Sequence, residues 1–472
     1  MARRLIYSEK KGSTGAAASY LYVDAAAAFR PLREEGSHVR GLQERVLGWA
    51  RDVFLPQGFP ESVSPDYLQY QFWDSVQAYC SSIAGALSLQ STLVGLGVGE
   101  GSATPLAATL SWLLKDGTGM VSSIAFAYWK GSQLDCNSKQ WRLFADFTNN
   151  VNLALHLLGP FLPVPFLAVL CVSGVLTALV GVAGGSTRAA LAVHQARCDN
   201  MADVSAKDGS QETLVNLAAL LTNLTLLPYF TANLGVTWTT FLLCVFLHMY
   251  ANYQAMRALT LHSLNRPRLL YVLGGWVKGA ADSEGTADGG GGGDGVPSPA
   301  EANLNEPLLF GPAFKSDYFP LGFRVTIGHS LHWALRRCGG GGGGEAELFE
   351  AACDAFSGEQ YMLCANLRRR QLHVIYRSHV TPEDELRAFV TAYLCVLNYS
   401  HWLEGTVLPP KFLAPNLPAT TPTSTASEYQ VMKAVKELVR QVFPSLMKSL
   451  QVQKWRIDKL HFGADEWRLI ED

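Results

Sequence analysis

Between Asp74 and Arg257 the sequence holds four long runs without a charged side chain, residues 75–99, 101–114, 147–187 and 213–256, separated by short segments rich in Lys and Arg. One helix needs roughly 20 apolar residues to cross ~30 Å of hydrocarbon, and the last two runs are each about twice that length. Each is therefore expected to be a helical hairpin. Pro160, Pro163 and Pro165 interrupt the first, and Pro228 with Gly235 interrupts the second. The clearest single spans are residues 164–185 and 235–256. Residues 104–128 are long enough too, but Lys115 and Asp116 sit at their middle. A charge there costs at least ~2.5 kcal/mol, so the two are expected to pair or to face a polar cavity.

Counting residues 146–159 as a short helix gives six, with both chain ends on one side. That side carries Lys130, Lys139 and Arg142, then Arg188, Arg197 and Lys207, then Arg257, Arg266 and Arg268. The opposite loops, 99–103, 159–164 and 228–235, contain no Lys or Arg. By the positive-inside rule this predicts a multi-pass membrane protein with cytosolic N- and C-termini. A soluble bundle of wholly buried helices is the alternative, because mean hydropathy is only slightly positive and several helices are full of Asn, Thr and His.

With 472 residues and a net charge of -2, the chain has room for two or three domains and no electrostatic case for binding nucleic acid. Its nine cysteines show no Cys-x-x-Cys spacing, so neither a zinc site nor a disulfide framework is expected, and buried thiols in a reducing compartment fit better. The N-terminal 52 residues lack a secretory h-region, and Asp24, Glu34 and Glu35 argue against a transit peptide. Residues 279–299 and 339–344 are Gly-rich and read as flexible linkers or loop expansions.

Past the first linker the pattern is that of a small α+β domain. Residues 361–365 and 371–377 read as two strands joined at 366–370. A helix follows with Thr381 as N-cap, Pro382 at its first position and Asp384 near the capping-box position. A second helix is expected over 427–450, and residues 455–462 read as a closing strand. The expected organisation is an extension (1–52), a helical membrane domain (53–268), a Gly-rich acidic linker (279–304) and an α+β C-terminal domain (305–472). The fold class is mainly α, the membrane domain consisting of about six helices.

Lys115-Asp116-Gly117-Thr118-Gly119 places a charge pair and two helix-weakening glycines in mid-span, a pattern expected to break the helix and expose its backbone to a cavity. Lys207-Asp208-Gly209-Ser210 repeats it and precedes a helix expected from about Gln211, with Ser210 or Asp208 as cap and Glu212 near the positive end of the dipole. Each motif falls on the second helix of a three-helix half, so the two halves would be inverted repeats. Asp146, Asn149, Asn150, Asn152 and His156 lie on or near one helical face. The candidate intramembrane polar site is therefore Lys115, Asp116, Thr118, Asp146, Asn149, Asn150, Lys207, Asp208, Gln211 and Glu212. Against it stand plainer readings. Lys115 and Asp116 are a structural pair at a helix break or at the interface, Asn-rich faces join helices by hydrogen bonds, and His248, Asn252 and Arg257 pack or snorkel. No metal site or catalytic residue is expected.

Several segments together resemble the root UV-B sensitive (RUS) family in its animal-type form. They are Phe54-Leu-Pro-Gln-Gly-Phe-Pro-Glu-Ser-Val-Ser-Pro-Asp-Tyr-Leu, Gln71-Phe-Trp-Asp-Ser-Val-Gln, Lys115-Asp-Gly-Thr-Gly-Met, Trp129-Lys-Gly-Ser, Gln140-Trp-Arg-Leu-Phe-Ala-Asp and Ala206-Lys-Asp-Gly-Ser-Gln-Glu-Thr. The resemblance is dense from Val53 to about Arg268 and looser beyond; the two Gly tracts depart from the family's pattern. It implies an integral membrane protein and, for plant relatives, links to seedling development, UV-B response, auxin transport and vitamin B6 homeostasis. It supplies no reaction, so a non-enzymatic protein without cofactor is expected. Three functions stand open: transport or handling of a small molecule related to vitamin B6, a membrane-anchored scaffold acting through the C-terminal domain, and a soluble helical scaffold. The expected partners are membrane lipid, RUS-family homo- or hetero-oligomers and an unnamed small-molecule ligand.

Overall fold

The computed structural model describes residues 4–10, 17–23, 28–32, 42–97, 104–285, 295–308, 319–339, 344–415, 425–463 and 467–470. The expected loop at 99–103, residues 286–294 of the first Gly tract and residues 340–343 of the second lie outside them. The chain divides into two compact units. One comprises residues 1–134 and 141–259, the other residues 135–140 and 260–472.

The first unit opens with an antiparallel three-stranded meander, β1 (Arg4–Lys10), β2 (Ala17–Val23) and β3 (Ala28–Leu32), where the sequence suggested only an extension. A helix, α1 (Leu42–Phe54), leads to six long ones: α2 (Tyr67–Gly95), α3 (Pro105–Lys130), α4 (Ser138–Leu158), α5 (Phe166–Gln195), α6 (Met201–Ala232) and α7 (Leu234–Ala258). Thr104 caps α3, its hydroxyl accepting from the Ala107 amide, with Pro105 at N1. Pro160, Pro163 and Pro165 occupy the break between α4 and α5, and Pro165 is the N-cap of α5.

Helix boundaries differ from the sequence reading where polar residues fooled it. The Lys115–Gly119 motif does not break its helix, because α3 runs unbroken from Pro105 to Lys130. Glycine lowers helix propensity by only ~1 kcal/mol, which packing overrides. Gly119 and Gly174 instead let two backbones touch. A Cβ on Gly174 would lie 2.4 Å from the Lys115 carbonyl oxygen and 2.7 Å from Thr118 Oγ1, and one on Gly119 would lie 3.2 Å from the Gly174 carbonyl oxygen. The second motif lies well inside α6, which starts at Met201, so Asp208 and Ser210 cap nothing and Glu212 is far from the helix end. Pro228 lies within α6 too. The turn comes at Asn233, whose side chain accepts from the Gly235 and Val236 amides to start α7.

Large apolar side chains on the outside of this unit are numerous. On α3, Leu106, Met120, Val121 and Ile124 are each more than two-thirds exposed; on α2, α5, α6 and α7, Phe72, Val172, Leu224 and Phe246 are each more than half exposed. Two helices among the described residues, α5 and α7, are long and apolar enough by length and composition to cross a membrane, and only 33% and 28% of their most apolar windows are buried. The apolar clusters inside are small, such as Cys80, Ile83, Leu87, Leu157 and Phe241.

The second unit has the opposite character. A large apolar core gathers Trp276, Phe323, Phe356, Phe389 and Phe412 among many others. Its elements are β4 (Ser263–Asn265), α8 (Arg266–Gly285), α9 (Pro299–Asn305), β5 (Arg324–Ile327), α10 (Leu331–Gly339), α11 (Glu345–Ala355), β6 (Tyr361–Asn366), β7 (Gln371–Arg377), α12 (Pro382–Glu404), α13 (Thr425–Val452), β8 (Arg456–His461) and β9 (Arg468–Leu469). β6 and β7 form the expected antiparallel hairpin. β5 and β9 both pair with β7 in parallel, at successive residues along it, and β8 pairs with β4 in a separate parallel pair. The α12 start carries the predicted capping box between Thr381 and Asp384. The molecule is thus mainly helical, with a small sheet-containing C-terminal region.

Candidate functional site

In the first unit one set of polar residues points inward. From Asp66 at the start of α2, Gln71, Asp74, Gln77, Ser81, Ser88 and Thr92 follow at roughly helical spacing, and each of the seven meets a polar group of another helix.

The charged tier comes first. His194 Nε2 lies 3.0 Å from Asp66 Oδ2. Asp208 accepts from Gln71 Nε2 at 3.1 Å and from Arg188 Nε at 2.7 Å, and Arg188 also reaches Glu212 at 2.7 Å. One turn further along α2, Arg142 of α4 serves two carboxylates, Asp74 at 3.3 Å and Asp146 at 3.4 Å. Asp146 Oδ2 additionally accepts from Gln77 Nε2 at 2.8 Å and Asn252 Nδ2 at 2.5 Å, so α2, α4 and α7 converge on one carboxylate oxygen. An amide and hydroxyl tier follows. Asn150 Oδ1 meets His248 Nδ1 at 2.9 Å, Asn149 donates to Ser81, and His156 bridges Thr92 Oγ1 at 2.8 Å and Ser173 Oγ at 2.6 Å.

The ten residues predicted from sequence are not one site. Asp146, Asn149 and Asn150 belong to the α2–α4–α7 interior. Asp208 and Glu212 join Arg188, while Gln211 donates to the Phe54 carbonyl at 2.6 Å and Lys207 to the Asp52 carbonyl at 2.6 Å, tying α6 to the end of α1. Lys115 and Asp116 do not pair with each other. Lys115 lies over the Trp112 ring at 4.4 Å, and Asp116 is exposed with no hydrogen-bond or ion-pair partner among the described residues. Thr118 donates to the Lys115 and Cys171 carbonyls, a packing contact between α3 and α5. The sequence reading missed Gln71, Asp74, Gln77, Arg142 and Arg188 as members, and set His248 and Asn252 aside as packing residues. The signal lay in the polar spacing along α2, hidden because the apolar run was counted from residue 75.

Three cations counted toward the positive loops are interior residues of the second unit. Lys139, Arg266 and Arg268 are nearly inaccessible. Lys139 lies 3.6 Å and Arg268 3.7 Å from Glu306, which also accepts from Asn265 at 2.8 Å, and Arg266 donates to the Phe462 carbonyl. Burial opposes ionisation of Glu306, yet Arg268 and Lys139 outweigh it and hold its pKa below the usual value. The same unit has a cleft of about 600 Å³ lined by Tyr271, Lys278, Glu301 and Tyr393, among others. Burial pushes the Tyr393 phenol up to about 12 and the Cys338 thiol to about 12, which keeps both neutral at physiological pH.

Comparison with known families now bears on both units. Residues 41–280 match the family model described as the vitamin B6 photo-protection and homoeostasis domain, and residues 295–471 match that of the C-terminal region of root UVB sensitive proteins. The chain belongs to the root UVB sensitive family. It is 44% identical over 262 residues to RUS family member 1 of Dictyostelium discoideum, covering 55% of this chain and 47% of that one. It is 44% identical over 227 residues to root UVB sensitive 3 of Arabidopsis thaliana, covering 48% of this chain and 52% of the relative. Root UVB sensitive 6 of the same plant is 24% identical over 426 residues, covering 90% and 78%. The chain thus spans about half the length of the first two relatives. No solved structure matches. The family has no established reaction.

Proposed function

We propose that α2–α7 form a membrane-embedded unit that binds and passes a small polar molecule through its interior, in the handling of vitamin B6 and without a reaction of its own. One observation carries this reading: apolar side chains face outward on α2, α3, α5, α6 and α7, while ion pairs and amides are buried between the helices. In water the arrangement is inverted, since a surface helix buries its apolar stripe. In lipid it is the expected one, with polar groups facing the bundle interior and each other. The vitamin B6 assignment is carried over from the description of the matching domain.

The two Lys-Asp-Gly motifs add support. Thr118 of α3 contacts Cys171 near the start of α5, and Asp208 of α6 contacts Gln71 near the start of α2. Each motif therefore rests on the first helix of the other three-helix half, the exchange that inverted repeats would produce.

The test is alkaline carbonate extraction of membranes from cells making the full chain, with protease protection of tags at residues 1, 290 and 472. Retention in the pellet with all tags on the cytosolic side is expected; release into the supernatant would refute the membrane reading. In cells lacking their own family member, the chain should restore the vitamin B6 vitamer pool. Arg142→Gln should reach the membrane yet fail to restore it, and an undiminished pool with that variant would remove the interior from the mechanism.

A further inference from the structure

The cleft of the second unit gathers polar groups that the fold leaves without partners. One wall is α8, whose Tyr271, Gly274, Gly275 and Lys278 follow at helical spacing. Residues 295–297 cross this helix at backbone distance. A Cβ on Gly279 would lie 2.5 Å from Gly295 Cα, and one on Gly275 would lie 2.5 Å from Pro297 Cγ. The cleft of about 600 Å³ beside this crossing takes its apolar lining from Leu270, Pro297 and Pro320, and its size is that of a small-molecule site. Tyr393 of α12 reaches it from the core. The residue is 4% exposed and its ring packs against Phe319, while its hydroxyl lies 3.9 Å from where a Cβ on Gly274 would stand, so the phenol tip faces the cleft. That hydroxyl has no hydrogen-bond partner among the described residues, although a buried polar group ordinarily finds one. Lys278, exposed at the same cleft, makes no ion pair among the described residues, and the Gln453 side-chain amide makes no hydrogen bond there.

We infer that this cleft binds a small organic anion with an apolar body, its carboxylate or phosphate group taken by Lys278, Tyr393 and Gln453. An ammonium, a phenol and an amide supply N–H and O–H donors, and an oxyanion is the partner that makes such hydrogen bonds strongest. Burial pushes the Tyr393 phenol up to about 12, so it keeps its proton and donates. Glu301 is the one carboxylate among the described lining residues, and it belongs to the opposite end of the α8 wall. Tyr271 donates to it at 3.2 Å, and Lys278 follows Tyr271 by seven residues, about 10 Å along a helix. The anion's charge is thus met at the Lys278 end, and its apolar part has Leu270, Pro297 and Pro320 to cover it. The site lies wholly in the second unit and does not rest on the membrane reading.

The experiment titrates the full chain in detergent micelles with four probes of one size, benzoate, phenyl phosphate, benzyl alcohol and benzylamine. Binding is followed by saturation-transfer NMR against micelles without protein. Benzoate or phenyl phosphate should bind saturably at millimolar concentration or below, and the tighter of the two names the head group. Lys278→Gln should weaken that anion by about tenfold and leave benzyl alcohol unchanged, because only the charged partner is lost. Tyr393→Phe keeps the ring and removes the hydroxyl; it should weaken the anion by roughly fivefold. Neither change should lower the melting temperature, since neither group has a partner to lose, whereas a merely structural tyrosine hydroxyl would lower it and leave the titration unmoved. If Tyr393→Phe fails to fold, Lys278→Gln decides, its side chain being exposed. Lack of saturation by either anion up to about 10 mM would mean that the cleft holds solvent alone and would overturn the site. Benzylamine binding as tightly as the anions, or both variants binding them like the wild type, would overturn it too.

Discussion

Glu306 shows how one buried carboxylate can set the stability of a unit. Lys139, Arg268 and Asn265 converge on it, and all four side chains are almost fully inaccessible. Removing one partner from a buried ion cluster leaves uncompensated charge, so Glu306→Gln should destabilise the protein by ~3–5 kcal/mol, readable as a lower urea midpoint. The pH dependence has a definite sign. Because the folded-state pKa lies below the unfolded value, the carboxylate's contribution is fully present above about pH 4.5 and is lost as pH falls through the lower folded value. Wild-type stability should therefore decline with acidification in that window, while the difference between wild type and Glu306→Gln narrows. A constant difference down to about pH 3 would show that Glu306 acts by packing alone.

At the level of elements, glycine acts here by close approach rather than by breaking helices. The prediction compares two glycines in one contact region. Gly174→Ala drives a Cβ into the Lys115 carbonyl, backbone that cannot move aside, and should separate α3 from α5 and lower the melting temperature strongly. Gly117→Ala meets no atom within 4 Å and should be neutral or stabilising by up to ~1 kcal/mol through helix propensity. Thermal melting of the two purified variants checks the order; equal effects would show that the α3–α5 contact is not a tight one.

For the whole molecule the decisive property is where the apolar surface lies. Val172 on α5 is 52% exposed within a helix long enough to span a bilayer. If that face meets lipid, Val172→Arg should cost ~2.5–3.5 kcal/mol and reduce membrane insertion. On a water-facing helix the same change should stay within about 0.5 kcal/mol. Glycosylation-tag or fluorescence-based insertion assays distinguish the two. Deleting residues 305–472 would be a poor test of a scaffold role, because it removes Glu306 and strands Lys139 and Arg268 without their carboxylate.

The local elements were largely legible in the sequence. Charge-free runs and prolines located most of the helices between residues 67 and 258, and the Thr381–Asp384 box marked the start of α12, because these signals act through residues a few positions apart. Asp146, Asn149 and Asn150 were legible as one polar helix face for the same reason. What each polar residue touches was not. Arg142 and Lys139, three positions apart, read alike as loop cations, yet one serves two carboxylates from α2 and α4 and the other is buried against Glu306. The family and its helical character were thus set by local pattern, while the polar interior was decided only by tertiary packing. A charge reveals in sequence that it needs a partner, and only the folded chain, which brings residues some seventy to two hundred positions apart into hydrogen-bonding range, reveals which one.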